Sequence, residues 1–189
     1  WSTSTTTLTN TDATTARRRA YAAASDASGS VDTTGFWLQG GHDSANIVGT
    51  GYKYTISTDA WATLSATGAP SLMYHSMAYV AGSVFSDSAA RLFIFAGATG
   101  TAVATGTDII YAYNLTANTW ANDSNLEGTG ISSAEAAGVP QRSRHVWRFL
   151  PFESKIVLHG GIATDGSGLA DMWEFDPAVW MTAHAASTS

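Results

Sequence analysis

The side chains suited to chemistry in this 189-residue chain are five histidines and two clusters of arginine. Histidine is the residue type for proton transfer near neutral pH and for metal ligation. His42 stands with Asp43 and Ser44, and on a loop that run presents a hydrogen-bonding set to a ligand. Arg17, Arg18 and Arg19 form one cationic group, and Arg142, Arg144 and Arg148 a second. A guanidinium can hold a carboxylate through two parallel hydrogen bonds or bridge neighbouring units by bonding loop carbonyls, so Arg18, Arg19, Arg142 and Arg144 join His42, Asp43 and Ser44 as candidate binding residues with the structural role equally open. Hydrolysis finds no support, because the chain has no Gly-x-Ser-x-Gly elbow, no His-Glu-x-x-His helix and no phosphate-binding glycine loop.

These residues lie within a repeated order of parts. Gly35-Phe-Trp-Leu-Gln-Gly-Gly41, Gly51-Tyr-Lys-Tyr54 and Trp61 are followed by Ala90-Arg-Leu-Phe-Ile-Phe-Ala-Gly97, Ile109-Ile-Tyr-Ala-Tyr113 and Trp120. The third copy is Lys155-Ile-Val-Leu-His-Gly-Gly161, Met172-Trp-Glu-Phe175 and Trp180. Tryptophans at 1, 61, 120 and 180 are 60, 59 and 60 residues apart. Each unit holds four strand-like runs, which points to propeller blades rather than to a helical solenoid. His75 and His145 are read as equivalent positions, with Arg19 in the same slot of the first unit, so periodicity favours a structural role for the two histidines. His159, inside a strand, reads the same way. Trp37 and Trp147 suit either stacking on a sugar or peptide, or packing between sheets.

An aromatic-aliphatic run ending in Gly-Gly, then an aromatic strand, a spaced Trp and an Arg/His-led strand resembles the kelch repeat, and the likeness runs through essentially the whole chain. The middle unit departs from it with Ala96-Gly97 in place of a glycine pair. The resemblance implies an all-β fold: three four-stranded blades of a kelch-type β-propeller, preceded by the outer strand of an earlier blade. The expected divisions are 1–15 for that strand and its loop, 16–65 and 66–125 for the first two blades, and 126–189 for a long loop and the third. Closed propellers have about four to eight blades, so further blades are expected outside this piece. Tyr74-His75 is similar to the pair that supplies copper ligands in galactose-oxidase-like radical oxidases, whose central domain is a kelch propeller. Such enzymes also use a tyrosine joined to a cysteine, and this chain has no cysteine.

Composition narrows the partners. Charged residues make up 13% and the formal net charge is −6, which argues against nucleic acid and an anionic membrane. The Ser/Thr/Ala/Gly-rich texture resembles secreted or wall-associated proteins, and Asn114-Leu-Thr116 and Asn122-Asp-Ser124 are glycosylation sequons. The expected role is a non-catalytic module that binds protein or glycan at the cell surface or outside it, with no cofactor. The alternative is the propeller part of a copper oxidase, with Tyr74 and His75 as ligands.

Overall fold

The computed structural model describes residues 18–26, 35–43, 45–101, 105–122 and 138–187. The strand expected over 1–15, Arg17 and Ser44 fall outside these residues. The protein is mostly antiparallel β-sheet. Strands β1 (Ala22–Ser25), β2 (Gly35–Gln39), β3 (Gly51–Thr55) and β4 (Ala60–Thr63) pair in chain order as a meander. β5 (Ser76–Val80), β6 (Arg91–Ala98), β7 (Gly106–Asn114) and β8 (Thr119–Asn122) repeat that order. β10 (Val146–Leu150), β11 (Lys155–Ala163) and β12 (Gly168–Phe175) form a third meander of three strands. The short β9 (Arg142–Ser143) pairs with both β7 and β11 and joins the second and third meanders into one sheet of eight strands.

Residue character explains the stacking. The middle strands of each meander are apolar on both faces, so each face demands a neighbouring sheet. β6 is buried along its whole length. Trp37, Leu72, Met77, Leu92 and Ile94 fill the seam between the first and second meanders. Phe93, Phe95, Trp147, Ile156 and Leu158 fill the seam between the second and third. Trp37 stacks on Tyr79 with ring centroids 5.3 Å apart, and Trp147 on Phe95 at 5.1 Å. Both tryptophans are therefore packing residues between sheets, with 2% and 6% of their surface exposed.

The glycine pairs have unequal duties. In Gly40-Gly41, Ala96-Gly97 and Gly160-Gly161 every residue has a positive φ. A Cβ on the second residue would lie 2.8 Å from the Arg19 carbonyl at Gly41, 2.7 Å from the His75 Cβ at Gly97 and 2.9 Å from the Ser143 carbonyl at Gly161. Only glycine fits there. Ala96 holds a φ of 52° at the first position, which an alanine can adopt at modest strain, so the middle unit keeps the same bend without a glycine pair.

The expected fourth strand at Trp180 is instead a helix, α1 (Pro177–Ser187). In the first two meanders a tyrosine hydroxyl ties the third strand to the turn after it: Tyr54 donates to Asp59, and Tyr113 to Asn118. Phe175 fills that register position in the third meander and has no hydroxyl. Asp176 then accepts from the backbone N–H groups of Ala178 and Val179, both at 3.0 Å, as a helix N-cap, and Pro177 follows as first helical residue. Trp180 faces the seam, edge-on to Phe93 at 5.7 Å.

Candidate functional site

The inner strands β1, β5 and β10 converge around a cavity of about 700 Å³. Just before each strand the chain turns a corner on a left-handed residue: Ala20 at φ 58°, Tyr74 at 56° and Arg144 at 59°. The Tyr74 N–H donates to the Ala20 carbonyl at 2.9 Å and the Arg144 N–H to the Tyr74 carbonyl at 2.8 Å, so a main-chain series links the three meanders at one mouth of the cavity.

Strand registers set the equivalences. Ala22 lies opposite Gln39, Ser76 opposite Phe95 and Val146 opposite His159, each at the residue before the glycine bend. The residue in the slot of His75 and His145 is therefore Tyr21, and Arg19 lies two residues earlier. Arg18, Leu72 and Arg142 share another slot.

Arg142 and Arg18 are structural clamps. Arg142 has no exposed surface. It donates to the carbonyls of Pro140 at 3.0 Å and Gly160 at 2.9 Å, and to both carboxylate oxygens of Asp171 at 2.7 and 2.6 Å. That contact holds the Asp171 carboxyl down to about 2. Arg18 reaches the register-equivalent groups: the Gly40 carbonyl at 3.4 Å, the Thr50 carbonyl at 2.8 Å and the Thr50 hydroxyl at 3.0 Å. Its guanidinium lies 5.0 Å from the centre of the Tyr52 ring. In the middle unit the corresponding residues are Leu72 and Ile109, which is why no arginine was needed there. Of the two roles the sequence leaves open for Arg142, burial rules out an outward binding contact and leaves the bridge to loop carbonyls.

His42 and Asp43 are also enclosed, at 7% and 8% exposure. His42 exchanges main-chain hydrogen bonds with Arg19, and Asp43 accepts from the N–H groups of Ala45 at 2.7 Å and Asn46 at 2.6 Å. Those bonds, Asn46 first, lower the Asp43 carboxyl below its usual range. The pair closes a loop and does not face outward as a ligand-binding set.

His75 and His145 lie in successive seams, each 5% exposed, and no hydrogen bond reaches a ring nitrogen of either. Burial pushes His75 down to about 4 and His145, with some help from the charge of Arg142, down to about 3. Both rings are neutral at physiological pH. Tyr74 lies under the Arg144 guanidinium, 4.3 Å from its charged carbon. Among the described residues no group of three or more His, Asp or Glu side chains is gathered as for a metal ion.

Two of the expected arginines face outward, Arg19 and Arg144. Arg144 rests on Tyr74, and Tyr74 is bonded through its main chain to the residue after Arg19. Sequence reasoning named both arginines but missed Tyr74 as the ring on which Arg144 rests. The signal was available in the adjacent corner positions of consecutive repeats. Asn114 caps a turn, accepting from the N–H groups of Thr116 and Ala117, both at 2.9 Å. The Asn122 side chain lies outside the described residues.

What fold and site define together is an all-β protein of stacked antiparallel meanders with a cationic-aromatic mouth. No protein-family model matches the chain, and no curated protein matches its sequence.

Proposed function

We propose that this chain is part of a kelch-type β-propeller and works as a non-catalytic binding or scaffold module for a protein or glycan, at the cell surface or outside the cell. The observation that carries the reading is the pair of outward guanidiniums at one mouth, Arg19 and Arg144, with Tyr74 stacked beneath the second. The three inner strands around one cavity support the propeller arrangement. Rigid main-chain corners hold these side chains in place, so a ligand meets a preorganised surface. The chemistry fitted to that surface is a carboxylate held by arginine with an apolar or sugar face laid on the tyrosine. The sequons at Asn114 and Asn122 agree with an extracellular setting.

The test is capture of an immobilised library of carboxylate-bearing peptides and glycans by the chain and by the double variant Arg19→Ala/Arg144→Ala. The expected result is capture by the parent chain, lost in the variant at unchanged thermal stability. Capture that survives the double substitution refutes the site, and no capture by the parent refutes the reading.

A further inference from the structure

The turn between β7 and β8, residues 114–118, lies away from both ends of the sheet array. Its neighbours on either side are in place. The Leu115 N–H donates to the Ala90 carbonyl at 3.0 Å, and Asn118 Oδ1 accepts from the N–H of Ser65, just after β4, at 3.2 Å. Thr116, Ala117 and Asn118 are nevertheless exposed, so their exposure belongs to a completed junction between two meanders.

The three meanders fill the slot of Asn114 differently. Register places Thr55, Asn114 and Asp176 each one residue after the aligned ring of Tyr54, Tyr113 or Phe175. Thr55 gives no side-chain cap. Asp176 accepts from the N–H groups two and three residues on, both at 3.0 Å, and Asn114 does the same at 2.9 Å. A cap at this slot is therefore dispensable, and a carboxylate makes it as well as an amide. What asparagine alone brings is its amide nitrogen. The two N–H donors fix Oδ1 as the acceptor, and among the described residues no hydrogen bond engages Nδ2. Thr116 stands two residues on with Leu115 between, which completes the acceptor sequence for N-linked sugar.

We infer that Asn114 Nδ2 is the attachment point of an N-linked glycan, an inference that rests on the extracellular setting proposed above. In the transfer, Nδ2 bonds to the anomeric carbon of the sugar and the bond from that carbon to the phosphate of a lipid-diphosphate donor breaks. The lipid diphosphate leaves, and Nδ2 gives up one proton. The sugar is attached at the end of the strands opposite the cationic-aromatic mouth. β7 runs nine residues from Gly106, next to the Thr107 that pairs with Arg142, to Asn114. At about 3.3 Å per residue that is a separation of roughly 25 Å.

The test is secretion of the chain from a eukaryotic host behind a cleavable leader, followed by mass spectrometry of the peptide that carries Asn114, before and after enzymatic release of N-glycans in heavy-oxygen water. The expected result is a sugar-bearing peptide in which position 114 reads as a labelled aspartate after release. Thr116→Ala and Asn114→Asp are expected to abolish the modification, and Thr116→Ser to keep it. Asn114→Asp retains the turn's acceptor and Thr116→Ala retains its N–H, so near-ultraviolet circular dichroism of both should match that of the parent chain. An unmodified Asn114 in the secreted, folded chain, or a modification that survives Thr116→Ala, overturns the inference. Because the leader supplies the route, such a failure counts against the acceptor and not against the proposed setting. Occupancy at Asn114 without ligand capture refutes the binding site alone, and capture by a chain unmodified at Asn114 refutes the glycan alone.

Discussion

Exchanging the Arg142–Asp171 pair for the apolar pair of the middle repeat is expected to cost far less than removing either partner alone. The two singles are expected to be unequal. Asp171→Ile strands a guanidinium with no exposed surface on two neutral carbonyls, those of Pro140 and Gly160. Leaving a buried charge uncompensated costs about 3–5 kcal/mol. Arg142→Leu leaves a carboxylate whose side chain is 28% exposed and still accepts from the Trp173 indole, so solvent takes over part of the lost contact. About 1–3 kcal/mol is expected for that change. The double variant Arg142→Leu/Asp171→Ile places at these positions the residue types that Leu72 and Ile109 supply one repeat earlier, and a well-packed apolar replacement of a buried ion pair is often neutral. Its cost is expected within about 1 kcal/mol of the parent, well below the sum of the singles. Urea unfolding at pH 7, followed by tryptophan fluorescence, measures all four proteins. The reasoning fails if Arg142→Leu is at least as damaging as Asp171→Ile, or if the double variant reaches the sum.

Acid should loosen both seams. His75 and His145 have folded values near 4 and 3 against an ordinary value of 6.5, so below pH 6.5 the unfolded chain binds protons that the folded chain refuses. The stability they protect is fully present above pH 6.5 and falls as pH drops toward 4 and 3, by up to about 1.4 kcal/mol per pH unit for each ring. Urea midpoints from pH 7 to pH 4 should show this slope, and a variant with His75→Gln and His145→Gln should flatten it; an unchanged slope would show that other groups govern acid unfolding. At the glycine bends, Gly97→Ala sets a methyl 2.7 Å from the His75 Cβ at a φ of 106° and should lower the melting temperature sharply. Gly166→Ala, at a φ of 89° with open space around it, carries backbone strain alone and should be much milder; equal losses would rule out the steric explanation.

Strand positions were legible because each meander repeats an apolar run, a glycine bend and an aromatic strand, and period-two burial follows from those residues alone. The last strand was misread because tryptophans were counted along the chain. Trp61 and Trp120 each lie seven residues after a strand tyrosine, Tyr54 and Tyr113, whereas Trp180 lies five after Phe175. Asp176-Pro177 is a helix start in its own right, visible without any coordinates. The arginines were harder. Arg142 finds Asp171 29 residues away, and Arg18 finds Thr50 32 residues away, distances at which no local pattern separates a clamp from a rim charge. The offset of Arg19 from the histidine slot had the same origin, since only the pairing of β1 with β2 fixes that register.

The corner series of Ala20, Tyr74 and Arg144 separates architecture from side-chain identity. Neighbouring repeats are registered at this mouth through N–H and carbonyl groups, which every residue but proline supplies in full. The side chain at each corner can therefore drift from methyl to phenol to guanidinium while the repeats stay aligned. A left-handed corner costs a non-glycine residue about 1–2 kcal/mol whichever of these side chains it carries. The mouth of this array is thus a surface whose side chains can be exchanged one repeat at a time, with the scaffold behind it unchanged.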